Sequence, residues 1–275
     1  MKKKAEQVYV AWAAFQRRQE SMQRVAGFDC WFYPLKSTGR VAKFFSYISL
    51  FFKCVFDLLG ASPQVVWVQL PQVPALWAAL VYRVLAKHPV KVVADCHNAQ
   101  LRRPWCVFPF FKTSLKKSDA ILVHNKAMSI KAGELGWPMH KLFVIEDVPA
   151  CVESQVSLGL ALKLISLPKP WILFPGSFAK DEPISEVLAA ASLLPAYTFI
   201  ITGRPEKAKG AGHNLERKPA NVLFPGFLPL DVFDDLLNEC DVVMGLTREE
   251  GIQLSVCNEA LGFGKPLVTS KETLI

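Results

Sequence analysis

The sequence lacks the patterns that mark several protein classes. Its seven cysteines (Cys30, Cys54, Cys96, Cys106, Cys151, Cys240 and Cys257) are scattered, odd in number and never spaced as C-x2-C. That excludes a disulfide framework and a cysteine-based zinc site, and it points to a reducing compartment. No G-x4-G-K-S/T and no G-x-G-x-x-G occurs, so the loops of a mononucleotide kinase and of an ordinary dehydrogenase are missing. No metal-ligand cluster is legible in the residue spacing. No apolar signal segment follows Met1-Lys2-Lys3-Lys4, and the expectation is a cytoplasmic chain.

What is present is a chain of 275 residues, 51% hydrophobic and 20% charged, with a net charge of +8. This length suits one large or two modest domains, each able to bury a core. The charge is unevenly placed. Residues 1–150 carry 21 Lys and Arg against 9 Asp and Glu, whereas residues 151–275 carry 11 against 15. A basic first half fits an anionic ligand or lipid, or simply a soluble surface.

Short apolar runs alternate with amphipathic stretches. Strands are expected at Val8–Trp12, 29–33, Val65–Gln69, Val90–Ala94, Ala120–Val123 and Leu142–Ile145, and helices over 15–26, 41–59 and 74–87. Strand and helix in alternation predict a parallel sheet covered on both faces. The pattern lapses over 151–170, read as a linker ending in Leu167-Pro168-Lys169-Pro170. It restarts at Trp171–Phe174 and continues through Thr198–Ile201, Val222–Phe224, Val242–Met244 and Pro266–Val268. The expected fold is α/β with two tandem doubly wound, Rossmann-like domains, 1–150 and 171–275. The second is expected to be incomplete because its last strand ends near Ser270. Ligands of such sheets bind beyond the carboxyl ends of the strands, so the loops just after strands are the candidate sites.

The most informative stretch is Glu249-Glu250-Gly251-Ile252-Gln253-Leu254-Ser255-Val256-Cys257-Asn258-Glu259-Ala260, continuing through Gly264-Lys265-Pro266-Leu267-Val268. A turn leads into a short helix, with Ser255 as a candidate cap and, at the helix's amino end, a candidate donor-binding residue. The helix's free amino end is an anion site. Glu259, one turn in, is placed to accept hydrogen bonds from a ribose diol, or else is an ordinary surface carboxylate. This segment resembles glycosyltransferase family 4 and its GT-B relatives, whose signature is Glu-x7-Glu, Ala, a small-residue turn, Gly-x-Pro and an apolar strand. The resemblance implies that Glu259 binds the nucleotide ribose and that Glu250, with Gly251, contacts the donor sugar. Glu250 stands nine residues before Glu259 instead of eight.

Two further loops resemble the family's donor site. Phe174-Pro175-Gly176-Ser177-Phe178-Ala179-Lys180-Asp181-Glu182-Pro183 corresponds to the loop that faces the diphosphate, with Gly176, Ser177 and Lys180 as candidates and Arg204 as a second strand-end cation. Phe224-Pro225-Gly226-Phe227-Leu228 corresponds to the backbone that lies against the base. In the first domain, Asp95-Cys96-His97-Asn98 resembles an Asp-x-His-Asn in GT-B mannosyltransferases of lipid-linked core oligosaccharides and assigns His97 to the donor sugar. Arg17 and Arg18 open the first helix and are acceptor-phosphate candidates, or exposed helix-start arginines. Glycine, usual in that first loop, is missing. His88, His124, His140 and His213 receive no role.

Helix 41–59 carries one polar stripe, Lys43, Ser46, Ser49, Lys53 and Asp57, on an otherwise apolar circumference. A span needs about 20 apolar residues without charges. The helix is therefore either a buried domain helix or one lying in a bilayer surface, with Lys36, Arg40, Lys112, Lys116 and Lys117 facing anionic headgroups. The resemblance as a whole implies a retaining glycosyltransferase using a UDP- or GDP-linked sugar as substrate. It implies no metal or organic cofactor, a glycan or polyprenyl-linked acceptor, and no nucleic acid. Cell-envelope or exopolysaccharide synthesis at the inner face of the membrane is the expected setting. Two alternatives remain: a nucleotide-sugar epimerase of the same fold, and a truncated, non-catalytic homologue.

Overall fold

The computed structural model describes residues 5–35, 39–149, 159–271 and 273–274. The chain divides into two compact units, Met1–Val148 and Pro149–Ile275.

The first unit runs β1 (Gln7–Ala11), α1 (Arg17–Ala26), β2 (Asp29–Phe32), α2 (Arg40–Ala61), β3 (Val65–Leu70), α3 (Val73–Leu85), β4 (Lys91–Cys96), α4 (Phe111–Lys117), β5 (Ala120–Val123), α5 (Lys126–Glu134) and β6 (Leu142–Val144). Its six strands pair in the order β2-β1-β3-β4-β5-β6, all parallel. Strands buried on both faces read as unbroken apolar runs, and residues 8–11 of β1, 65–68 of β3 and 92–94 of β4 are of that kind. Val8, Val10, Val66, Val68, Val92 and Ala94 pack with α2 and α3 in one core, while Tyr9, Ala11, Met22 and Phe28 pack on the other face with α1. Three local features bound the helices. Pro74 sits at the start of α3, where its missing N–H costs nothing. Asn125 caps α5 by accepting from Met128 N–H at 2.8 Å. α1 ends where the Gly27 N–H reaches Gln23 O.

The second unit runs α6 (Leu160–Leu164), β7 (Trp171–Pro175), α7 (Ile184–Leu193), β8 (Thr198–Thr202), α8 (Ala208–Ala211), β9 (Val222–Gly226), α9 (Leu230–Glu239), β10 (Val242–Gly245), β11 (Ile252–Gln253), α10 (Ser255–Gly262), β12 (Leu267–Thr269) and β13 (Thr273–Leu274). The main sheet is parallel in the order β12-β10-β7-β8-β9. The order reverses between β7 and β10, which makes the crevice beyond their carboxyl ends the switch point of the sheet. The fold is thus two Rossmann-like α/β units in tandem, as the alternation predicted. Of the stretch expected as linker, 151–158 lies outside the described residues. In α6, which follows, Ala161 is buried in the core beneath α9, and its N–H donates to Asp235 Oδ2 at 2.7 Å.

α2 departs from the buried-helix alternative. Cys54, Val55, Leu58 and Ala61 anchor its second half in the core, but Val41, Phe44, Phe45, Ile48, Phe52, Phe56 and Leu59 are exposed along its length. Phe44, Phe45 and Phe56 each show more than 60% of their surface. These seven positions recur every three or four residues and share one side of the helix. The neighbouring α3 adds exposed Val81, Val84 and Leu85.

Candidate functional site

Because each sheet is parallel, every strand of a unit delivers its following loop to one edge. In the first unit that edge gathers His97 after β4, His124 after β5, Asp147 after β6 and Arg18 from the first turn of α1. At their centre is Asp95, fully buried near the end of β4. Tyr9 donates to Asp95 Oδ2 at 2.5 Å, and Gln19 Nε2 donates to the Tyr9 hydroxyl at 2.8 Å. Arg18 donates through Nε to Asp95 Oδ2 at 3.1 Å, through Nη2 to Ile145 O at 2.9 Å, and through Nη1 to Asp147. His124 lies between the same two carboxylates, 3.5 Å from Asp95 and 3.8 Å from Asp147. Its ring meets that of His97 edge-on at 4.4 Å.

The electrostatics follow from this packing. Burial alone would raise the Asp95 carboxyl, but the Arg18 guanidinium and His124 hold it well below the usual carboxylate range. Burial alone would lower Arg18, and Asp95 with Asp147 more than reverses that, so the cation is fixed. Burial, then the His124 ring, pushes His97 down to about 3, so His97 is a neutral imidazole at ordinary pH. Its Nε2 is enclosed, with no protein hydrogen-bond partner among the described residues.

This arrangement corrects the expectation for Arg18. It is neither an exposed helix-start arginine nor free to hold an acceptor phosphate, because both carboxylates and a carbonyl occupy it. Arg17 pairs with Glu20 at 2.8 Å and lies over the Phe15 ring at 5.6 Å. The fold also assembles a set that residue spacing did not reveal: Asp95, His97 and His124 each offer a ligand atom, all within 4.8 Å of one another. The fit to a metal ion is poor. Asp95 already accepts from Tyr9 and Arg18, and the guanidinium is a fixed positive charge beside the position a cation would take. The geometry suits a neutral imidazole held by an ion-paired network.

The polar stripe of α2 has an equally specific setting. Ser46, Ser49 and Lys53 join Phe32, Tyr33, Pro34 and Leu50 around a cavity of about 480 Å³. Asp57 accepts from Tyr33 at 2.9 Å and from Lys53 at 3.1 Å.

In the second unit the loops after β7 and β10 flank the switch point. Gly176 N–H donates to Thr202 O at 3.2 Å. Gly203 has φ +113°, and a Cβ there would lie 1.9 Å from Gly176 O, so only glycine lets these two strand-end loops touch. Gly203 N–H in turn donates to Gly226 O at 2.9 Å. The loop after β10 is tied to the loop after β7: Thr247 Oγ1 donates to Asp181 Oδ2 at 2.9 Å, and Arg248 N–H to Asp181 O at 2.8 Å. The Arg248 guanidinium holds the Glu182 carbonyl at 3.0 Å and the Glu186 carboxylate at 2.6 Å. α10 then packs against β10 so closely that a Cβ on Gly245 would meet Cys257 Sγ at 2.7 Å.

The donor-site candidates fall on this edge. Ser177 and Lys180 are in the β7 loop, Lys180 with its side chain exposed. Arg204 follows β8 and stacks over Phe227 at 5.3 Å. Gly226 ends β9, Glu250 is exposed in the turn with Gly251, and Glu259 is on α10 with 7% of its surface exposed. The cap reading of Ser255 is corrected: Leu254 stands at the N-cap position and Ser255 is the first residue of α10, at the helix's amino end. Sequence reasoning passed over Asp181, Glu182, Thr247 and Arg248, which organise the edge, and His124, Asp147 and Tyr9 in the first unit. His124 carried one available signal, since it follows an apolar strand directly, as His97 does.

No protein-family model and no curated protein sequence matches the chain. Solved structures do. Sucrose-phosphate synthase from Thermosynechococcus elongatus superposes with a TM-score of 0.69 at 13% identity, covering 97% of this chain and 81% of that one. Anabaena HepE in complex with UDP-glucose gives 0.61 at 15%, covering 98% and 81%. The UDP-GlcNAc 2-epimerase of Methanocaldococcus jannaschii gives 0.57 at 11%, covering 96% and 82%. The likeness is one of fold: two parallel-sheet, Rossmann-like units of the GT-B type.

Proposed function

We propose that this chain is a GT-B glycosyltransferase that moves a sugar from a nucleotide diphosphate onto a glycan or lipid-linked acceptor. The observation that carries the reading is the switch-point edge of the second unit. The β7 loop, the β10 turn and the amino end of α10 meet there, with Glu259 one turn into the helix. A helix amino end with free N–H groups stabilises a leaving diphosphate, Lys180 and Arg204 add positive charge on the same edge, and Glu259 is assigned to the ribose diol. Glu250 and Gly251 are assigned to the donor sugar. His97, a neutral imidazole able to donate or accept at Nε2 without changing charge, is assigned to a sugar by the resemblance of Asp95-Cys96-His97-Asn98. The chemistry on this reading needs neither metal nor organic cofactor, and it proceeds with retention. The acceptor is a cell-envelope or exopolysaccharide intermediate. The apolar side of α2, on a unit that also carries exposed Lys112, Lys116 and Lys117, supports peripheral contact with an anionic membrane; Lys36 lies outside the described residues. HepE in complex with UDP-glucose has the same fold and supports a nucleotide-sugar ligand.

Calorimetric titration of the whole chain with UDP and with GDP tests the reading. Micromolar binding of one of them, weakened at least tenfold by Glu259→Ala, is the expected result. Undiminished affinity in the variant would remove Glu259 from the site, and no binding of either nucleotide by folded protein would overturn the reading. A second reading has a specific observation behind it: Asp95 and Asp147 sit together on the first unit's edge, and epimerases share the fold. Incubation with a nucleotide sugar and no other acceptor separates the two, since only an epimerase then inverts a stereocentre of the sugar, whereas transfer to water releases it unchanged in configuration at its other carbons.

A further inference from the structure

The β7 loop contains a small anion cradle that is already filled. The Glu182 carboxylate accepts from the Ser177 N–H at 2.8 Å (Oε1) and 3.1 Å (Oε2), from the Ser177 hydroxyl at 2.8 Å, and from the Ala179 N–H at 3.3 Å. Two backbone N–H groups and one hydroxyl therefore converge on one anionic group. This happens directly after the first strand of a doubly wound sheet, beside its switch point. Successive N–H groups of this kind form the concavity that binds phosphate oxygens elsewhere, and a carboxylate meets them with the same charge-assisted bonds.

The backbone of the cradle is fixed independently of that carboxylate. Phe178 is buried with φ +57°, a costly conformation for a non-glycine residue that only surrounding packing maintains. Gly203 admits the Gly176 carbonyl from beneath. Thr247 and Arg248 hold Asp181 and the carbonyl of Glu182. The loop therefore has supports other than the Glu182 side chain.

We propose that Glu182 is a built-in stand-in for a phosphate: it occupies the cradle of Ser177 and Ala179, and a diphosphate must displace it to bind. The proposal rests on reading this edge as a nucleotide-sugar site and adds a gate to it. The gate acts twice. Glu182 competes for the donors, and its negative charge opposes an approaching diphosphate. Free phosphate and pyrophosphate are thereby kept out, and only a ligand with further contacts, such as a base and ribose, repays the displacement.

Inorganic pyrophosphate is the probe, because it carries no base or ribose and does not depend on Glu259. Binding is followed by calorimetry and by the amide shifts of Ser177 and Ala179, in the wild-type chain, Glu182→Gln and Glu182→Ala, with thermal melts reporting the fold of each. The expected result is weak binding by the wild type, at least tenfold tighter binding by both variants, and shifts at those two amides. Equal affinity across the three proteins, or shifts confined to other residues, would overturn the gate. Glu182→Gln keeps the side chain's shape and one acceptor. If Glu182→Ala does not fold, Glu182→Gln and the wild-type amide shifts decide the matter. A gain for pyrophosphate without any binding of UDP or GDP would leave the gate standing and sink the nucleotide reading alone.

Discussion

Replacing Arg18 by methionine tests the ion-paired edge of the first unit directly. The side chain is 3% exposed and bridges Asp95, which is 0% exposed, and Asp147, which is 13% exposed. Removing one partner of a buried pair leaves uncompensated charge and typically costs about 3–5 kcal/mol. Two carboxylates lose their cation here, so Arg18→Met is expected in that range at pH 7, measured by urea unfolding. The pH dependence gives a second handle. In the native chain Asp95 is held well below its ordinary value by Arg18 and His124 against the opposing effect of burial. A depressed carboxyl contributes stability that is present above its unfolded pKa of about 3.9 and is lost as pH falls through the native value. Without Arg18, burial dominates and raises the Asp95 carboxyl, so protonation relieves the unpaired charge. The deficit of Arg18→Met against wild type should therefore shrink from pH 7 to pH 4.5. Arg18→Met/Asp95→Asn should lose less than the two single losses added together, since the sites are in contact. A loss under about 1 kcal/mol, or one independent of both pH and Asp95, would refute the network as described.

Two other outcomes follow from the same geometry. His97 titrates at about 3 in the native chain because burial and His124 disfavour its charge, whereas an unfolded histidine titrates near 6.5. Below about 6.5 the unfolded chain binds a proton that the native one refuses, so stability is full above that pH and falls on acidification towards 3, by at most about 1.4 kcal/mol per pH unit. His97→Asn should flatten the dependence of melting temperature on pH between 7 and 4; an unchanged slope would show that the native chain does not hold His97 neutral. For α2, co-sedimentation with vesicles containing phosphatidylserine should be strong for the wild type and lost when Phe44, Phe45 and Phe56 are changed together to serine. Equal binding by the variant, or none by either protein at low salt, would remove the membrane from the reading.

Much of the architecture was legible because its cause is local. An apolar run of four to six residues bounded by turn formers reads as a parallel strand wherever it occurs, and β1, β3, β4, β7, β8 and β10 were all found that way. Glycines and prolines following those runs marked the loops that the sheets carry to their edges. Local signals failed where a contact depended on distant partners. Arg18 reads as an exposed arginine because Asp95 and Asp147 lie 77 and 129 residues away, and only strand order brings β4, β6 and α1 together. His124 carried no role for the same reason. α2 is apolar around most of its circumference, so periodicity could not say which part faces a core. α3, Tyr33 and Asp57 decide that, leaving seven large apolar residues in the open. Ser255 has the chemistry of a cap, but the backbone enters α10 through Leu254. Sequence by itself determined the two α/β units and the strand-end loops, since backbone hydrogen bonding and hydrophobic alternation act over a few residues. Tertiary structure decided which loop residues meet, which charges pair, and that Glu182 fills the cradle of Ser177 and Ala179, since those depend on sheet order and close packing.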